Sequence, residues 1–298
     1  MELSPRIDIV CCDALEGLRA LPPNSIDCTV TSPPYNLGRI KKPRKFTSKR
    51  SNKTWFSYSW TYDTFQDNLP EGEYQQNQID VLNTLYEKTK THGSCFYVVR
   101  VRYIRGDCIH PVTWITQTKW CLRQEIVWNK TSTPDNYGHR FSQVDERIYW
   151  LTKGDHFFRR QIHNPRKLNS IWRIVNKKHT YKHPATFALD IPQICIEAVL
   201  SDDADTNTLI CDPYCGSGTT AVVAAEKGYR FIGFDLSQTY VDAAKVRAEI
   251  KNADKRVENS QHGEKEDGDG EKLRRRRVDW RGVKKKPKQE FLLTDIRK

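Results

Sequence analysis

The sequence predicts an α/β fold built on a mostly parallel, twisted sheet with helices on both faces. Two observations carry that expectation. Short apolar runs of strand length alternate with stretches of helical periodicity through most of the first 250 residues. The strand runs are bounded by the prolines and glycines that end elements, and they read as buried, as strands covered on both faces do.

Taken in order, Ile7 to Cys11 and Ile26 to Val30 read as short buried strands. Between them Ala14 to Leu21 reads as a helical segment ended by Pro22-Pro23. Residues 75 to 90 fit an amphipathic helix with Ile79, Leu82, Leu85 and Tyr86 on one side. Gly93 then punctuates, and Cys95 to Val101 reads as a strand, followed by strands at Gln124 to Trp128 and Arg147 to Leu151. A helix is expected from Pro192 to Leu200, a strand at Leu209 to Cys211, and a helix at Thr219 to Lys227. A strand at Phe231 to Phe234 and a helix from Gln238 to about Ala253 complete the pattern, with no internal repeat. Residues 1 to 253 are therefore read as one catalytic domain. From about 254 the pattern fails: residues 258 to 277 have almost no apolar residues and are rich in charge and glycine, so 254 to 298 is expected to be a basic, disordered tail.

The net charge of +12 points to a polyanionic partner, with nucleic acid the first candidate. Residues 251 to 298 hold 16 Lys and Arg against 10 Asp and Glu, so the tail is several times more basic per residue than the body. Its clusters at 274–277 and 284–288 admit three readings: a nuclear-localisation signal, a DNA-binding arm or a solvated tail. No apolar run approaches a membrane span, and MELSPRIDIV has no signal-peptide architecture. Nine scattered cysteines without a Cys-x-x-Cys pair speak against a disulfide framework or zinc ribbon and for a reducing, intracellular compartment. His156, His163, His179 and His183 cluster without metal-site spacing, so no metal is expected.

Two constellations carry chemistry. Asp212-Pro213-Tyr214-Cys215-Gly216-Ser217-Gly218-Thr219 follows a strand and opens a helix. A turn of small residues there lets a ligand approach backbone donors at a helix N-terminus. Nineteen residues past Gly216 the next strand ends at Asp235, followed by Leu236 and Ser237. A carboxylate so spaced can accept from both hydroxyls of a ribose, which predicts a nucleoside-type cofactor. The turn is neither the dinucleotide fingerprint nor the phosphate loop.

The second constellation is Thr31-Ser32-Pro33-Pro34-Tyr35-Asn36. Two prolines donate no backbone hydrogen bonds, so the strand must end in a rigid turn. A hydroxyl on one side and an aromatic ring on the other suit a planar ring bearing an amino group. Ser32 Oγ and the Pro33 carbonyl would accept its hydrogens while Tyr35 stacks.

Together these motifs resemble the amino-group DNA methyltransferases of the β order, in which the catalytic tetrapeptide precedes the cofactor turn, a circularly permuted arrangement. The resemblance covers roughly residues 6 to 250 and includes CDALEGLRALPPNSID, IVWNKTS and HPATFALDIPQICIEAVL. It departs at Tyr214, where the family usually has Phe. It implies the Rossmann-like methyltransferase fold and S-adenosyl-L-methionine as cofactor. It also implies Asp13 near the adenine, and Lys182, His183, Pro184 and Thr186 near the methionine end. The implied reaction is direct methyl transfer to an exocyclic amine after base flipping. No cysteine nucleophile is needed, and the chain has no Pro-Cys dipeptide.

Ser-Pro-Pro-Tyr is associated in the family mainly with cytosine N4 and Asp-Pro-Pro-Tyr with adenine N6, so N4 is the expected target. An adenine-N6 enzyme of the same fold is the alternative, and an inactive DNA- or chromatin-binding module a third reading. RNA as substrate and a homodimer are left open. Residues 36 to 60 form an irregular stretch with no acid between Asp27 and Asp63. It holds Arg39, Lys41, Lys42, Arg44, Lys45, Lys49, Arg50 and Lys53 among aromatic residues and is expected to face DNA. A small target-recognition region is expected at about 152 to 181, with Arg159 and Arg160 on phosphates.

Overall fold

The computed structural model describes residues 6–37, 67–104, 106–131, 140–155, 169–175, 187–200 and 207–249, and the backbone alone at 44–47 and 54–57. The chain opens with β1 (Ile7–Cys11), α1 (Ala14–Ala20) and β2 (Ile26–Thr31). Two strands, β3 (Arg44–Thr47) and β4 (Thr54–Ser57), pair antiparallel within the stretch that the sequence predicts to be irregular. Next come α2 (Glu71–Lys88), β5 (Thr89–Val99), the hairpin of β6 (Arg102–Ile104) and β7 (Asp107–Ile109), and α3 (Val112–Ile115). Then follow β8 (Cys121–Asn129), β9 (Asp145–Thr152), β10 (Ile171–Arg173) and α4 (Asp190–Val199). Last are β11 (Leu209–Asp212), α5 (Thr219–Lys227), β12 (Arg230–Asp235) and a helix at 238–249, α6.

Eight strands form one sheet in the order β1-β12-β11-β2-β5-β9-β8-β10. Every neighbouring pair is parallel except the two that β9 makes with β5 and β8, so only β9 runs against the rest. Side chains alternate across β5, as the strand period requires. Phe96 and Val98 join a core with α4, α5 and α6, whereas Cys95, Tyr97 and Val99 join a second core with α1, α2 and α3. Helices thus cover both faces.

Two local features depart from the predicted pattern. Helix α2 runs into β5 with no loop, because Thr89 closes the helix through its amide and through Oγ1 to the Leu85 carbonyl. Gly93 lies inside β5 rather than before it: a Cβ there would meet Thr89 Cγ2 at 2.4 Å and the Asp27 carbonyl at 3.1 Å. Glycine is needed for close approach beside an irregular β2–β5 register. The predicted recognition region also contributes to the sheet, since Trp172 of β10 is buried and the indole of Trp128 donates to the Ile174 carbonyl.

The order of connections positions the site. From β2 the chain crosses by α2 on one face to β5, and from β11 it crosses by α5 on the other to β12. The adjacent strands β2 and β11 therefore send their chains apart at their carboxyl ends, the place where α/β sheets open a crevice.

Candidate active site

A cavity of about 240 Å³ opens at those carboxyl ends. Of the residues singled out in the sequence, Asp13, Ser32, Pro34, Pro213, Tyr214, Gly216, Ser217, Thr219, Asp235, Leu236 and Ser237 line it. They come from segments as distant as Asp13 and Ser237, brought together by the parallel order of β1, β12, β11 and β2.

The glycine turn is held mainly through backbone amides. Cys215 N donates to the Phe234 carbonyl at 2.8 Å, Gly218 N to the Cys215 carbonyl at 2.9 Å, and Gly216 N to Asp235 Oδ2 at 2.9 Å. Asp235 Oδ1 accepts from Ser237 N at 2.8 Å. The two carboxylate oxygens are thus fixed in place at the cavity wall, and burial raises the pKa of the group. Gly216 and Gly218 both have positive φ, 51° and 78°. Gly218 does not line the cavity. A Cβ on it would come within 2.7 Å of Ala244 Cβ, so its small size lets α6 pack on the turn. Arg247 of α6, buried, donates to the Ser217 carbonyl and to Ser217 Oγ.

Asp212, also expected at the cofactor, lies behind the cavity rather than in its lining. Its Oδ1 accepts from Thr31 Oγ1 at 2.7 Å and Tyr214 N at 3.1 Å, and its Oδ2 from Thr220 Oγ1 at 2.9 Å. With both oxygens engaged and the side chain 1% exposed, it ties the end of β2 to the turn after β11. Burial pushes its pKa up to about 7, against the lowering effect of the two threonine hydroxyls. Asp13 caps α1, its Oδ1 accepting from Leu15 N and Glu16 N, and still faces the cavity.

The proline turn is held by side chains. Tyr74 of α2 donates to the Pro34 carbonyl at 2.9 Å. Asp67 accepts from the amides of Asn36 and Leu37, and Asn36 Nδ2 donates to the Leu69 carbonyl at 2.9 Å. Pro33 is buried and Ser32 half-buried. Tyr35, predicted to stack through its ring, is only 9% exposed and is absent from the cavity lining. Its hydroxyl lies 3.0 Å from Ser32 Oγ and 3.0 Å from Glu146 Oε2, and Lys130 Nζ donates to Glu146 Oε1 at 2.6 Å.

Several contributors were missed in the sequence. Tyr74, Asn77, Gln78 and Val81 of α2 line the cavity, and Gln78 is 3% exposed while accepting from the Tyr97 hydroxyl. The buried face of α2 runs Tyr74, Gln78, Val81, Leu82 and Leu85, so projecting the helix from Tyr74 would have found Gln78. Glu146 and Lys130 had no signal, since strand ends 16 residues apart meet only through the β8–β9 pairing. The two thiols in the lining, Cys12 and Cys215, both have raised pKa values, first of all by burial, which keeps them protonated and poor nucleophiles.

Lys182, His183, Pro184 and Thr186 lie outside the described residues, although the adjoining Phe187 lines the cavity. Arg39, Lys41, Lys42, Lys49, Arg50, Lys53, Arg159 and Arg160 also lie outside, as do the four clustered histidines and the tail from 250 on. Arg44 and Lys45 are described only as backbone of β3. Among the described residues, no helix is long and apolar enough to cross a membrane, and no group of His, Cys, Asp or Glu could hold a metal ion.

A crevice at the switch point of a mostly parallel sheet, with a glycine turn facing a fixed carboxylate, defines a Rossmann-like nucleoside-cofactor fold. The chain belongs to the N6/N4 DNA methylase family, whose model matches residues 26–246. It is 24% identical over 265 residues to the type II methyltransferase M.BglII of Bacillus subtilis, covering 78% of this chain and 66% of the relative. This chain thus spans about two thirds of the length of M.BglII. It is 28% identical over 255 residues to the type II methyltransferase M2.DpnII of Streptococcus pneumoniae, covering 80% and 88%. Among solved structures it resembles the cytosine-N4-specific PvuII DNA methyltransferase, with TM-score 0.62 at 19% identity over 86% of this chain and 94% of that one. It also resembles a Thermus thermophilus protein described as a DNA modification methylase, complexed with S-adenosyl-L-methionine, with TM-score 0.56 at 20% identity over 83% and 94%. At these identities the structural likeness is one of fold. The family's cofactor is S-adenosyl-L-methionine, and the M1.HpyAVI structure, TM-score 0.54 at 19% identity over 81% and 99%, also holds it.

Proposed function

We propose that this protein transfers a methyl group from S-adenosyl-L-methionine to the exocyclic N4 amine of cytosine in DNA. The observation that carries the proposal is Ser32, whose rigid proline turn opens into the same cavity as Asp235 and the glycine turn. The residues present fit the cofactor. Asp235, fixed by two amides, keeps acceptor capacity for ribose hydroxyls, and Asp13 faces the same space. Leu15, Val81 and Tyr214 supply apolar wall for a flat base. The bound cofactor supplies the electrophilic methyl group.

An exocyclic amine conjugated to its ring is a weak nucleophile. Ser32 Oγ accepts one of its hydrogens, which draws the nitrogen toward sp³ character and frees its lone pair. Holding that nitrogen in line with the methyl group lowers the barrier further. Neither cavity thiol takes part, in keeping with direct transfer. Adenine N6 is the second reading, because the family includes both targets; Ser32 at the head of the tetrapeptide favours cytosine. The relatives named above with an organism are bacterial, which supports work at a nucleoid.

DNA is held, on this reading, by Arg39, Lys41, Lys42, Arg44, Lys45, Lys49, Arg50 and Lys53, with Arg159 and Arg160 on phosphates. The motive is the absence of any acid between Asp27 and Asp63. Replacing Lys41, Lys42, Arg44 and Lys45 with alanine should weaken binding alike across sequences. The salt dependence should become shallower by up to about 0.9 for each phosphate left without its cationic partner. A salt titration that overlays the wild type would remove these four residues from the DNA interface. The target base itself is read by sequencing DNA from cells expressing the gene with a readout sensitive to N4-methylcytosine.

A further inference from the structure

We propose that Glu146 and Lys130 set the direction of the hydrogen bonds in the catalytic turn and so make Ser32 an acceptor toward the substrate amine. The inference rests on the reading of Ser32 as the group facing that amine. Glu146 lies on β9 and Lys130 directly follows β8, and their side chains are only 11% and 23% exposed. Lys130 Nζ donates to Glu146 Oε1 at 2.6 Å, a short charge-assisted bond between an ammonium and a carboxylate. An ionised carboxylate has no proton and can only accept. The Tyr35 hydroxyl, 3.0 Å from Oε2, must therefore donate to it.

A phenol has a single proton. Once it is committed to Glu146, the Tyr35 oxygen can meet Ser32 Oγ, 3.0 Å away, only as an acceptor. Ser32 is then the donor, and its own single proton points back into the protein. What Ser32 offers the cavity it lines is the lone pairs of Oγ. A free serine could turn either a proton or a lone pair to its ligand. An amine presents hydrogens, so a proton turned toward it would oppose the contact that frees its lone pair. The chain from Lys130 through Glu146 and Tyr35 to Ser32 removes that choice before substrate arrives. It also assigns work to the IVWNKTS segment, which ends the strand that places Lys130.

Glu146 and Lys130 are positioning residues in this scheme, and Glu146→Gln tests it with the shape retained. Lys130 would claim the amide oxygen and turn the NH2 group to Tyr35, reversing the direction of the chain as far as Ser32. The expected result is a fall in kcat of about 10- to 100-fold, with affinity for S-adenosylhomocysteine and melting temperature unchanged. Tyr35→Phe removes the acceptor of the Ser32 proton and should also lower kcat. Combining the two should lose no more than the larger single change, since both act through one chain. Wild-type kcat in Glu146→Gln, or losses that multiply independently, would overturn the proposal. Should Glu146→Gln not fold, wild-type kcat in Tyr35→Phe overturns it and a lowered kcat with intact cofactor affinity supports it. Ser32→Ala separates the two levels. If it loses transfer while Glu146→Gln does not, only the direction-setting role fails; if it keeps full kcat, the reading of the site fails with it.

Discussion

Two turns face each other across the cavity, and they are built by opposite means. The glycine turn after β11 keeps its amides and is pinned by them to Phe234, Cys215 and Asp235. The proline turn after β2 has no amide at Pro33 or Pro34, so side chains from elsewhere hold it: Tyr74, Asp67 and Glu146. Asp212 joins the two through Thr31 and Thr220. A turn held by its backbone tolerates changes of side chain but not an added Cβ. A turn held by side chains should show the reverse.

The largest expected effect lies in the proline turn. Ser32→Ala should lower kcat by about 10²- to 10³-fold, the usual loss when one preorganised contact to the reacting group is removed. Cofactor affinity should remain, because Ser32 contributes nothing to the glycine turn. Single-turnover kinetics beside calorimetry with S-adenosylhomocysteine would show this split, and equal damage to both would break the contrast between the turns.

Asp235→Ala should act the other way, on binding first. Losing a charged acceptor to ribose hydroxyls costs about 1.5–3 kcal/mol, roughly 10- to 150-fold in affinity. The same carboxylate anchors Gly216 N and Ser237 N, so some of the loss reflects a loosened turn. Unchanged affinity by calorimetry would remove Asp235 from the cofactor site.

Gly218→Ala sharpens the comparison through stability. Its φ of 78° and the 2.7 Å approach to Ala244 Cβ should together cost about 1–3 kcal/mol of folding free energy. Chemical denaturation gives the figure, and a variant as stable as the parent would show that α6 can yield.

The smallest effect is a slope. Burial pushes Asp212 up to about 7, so from the ordinary carboxylate value near ~4 to about 7 the folded chain keeps a proton that the unfolded chain gives up. Stability from this group is therefore greatest in acid and falls as pH rises through that window. Asp235, also raised, adds in the same direction. The melting temperature of Asp212→Asn should fall less between pH 5 and pH 7.5 than that of the parent, a window set by this shift. Parallel curves would mean that Asp212 is ionised throughout at no cost.

Most of the sheet was legible because β1, β2, β11 and β12 are short apolar runs with clear ends. The glycine turn was legible for the same local reason: its neighbours in space are its neighbours in sequence. Less legible was Asp212, whose position in the motif does not reveal that Thr31, 181 residues away, donates to one of its oxygens. The partner of the Tyr35 hydroxyl was hidden likewise, since only the β8–β9 pairing brings Glu146 to it. Gly93 and Trp172 show the same limit in the fold, where close approach and edge pairing are set by tertiary contacts. The arrangement of local motifs can be read; what stands behind them cannot.

The central claim is a chemical one, the identity of the methylated atom. Purified protein should be incubated with DNA and isotopically labelled S-adenosyl-L-methionine, and the DNA then digested to nucleosides and separated. The account predicts label in N4-methyldeoxycytidine, lost with Ser32→Ala. Label in N6-methyldeoxyadenosine would contradict the choice of base, and label in C5-methyldeoxycytidine would contradict the mechanism.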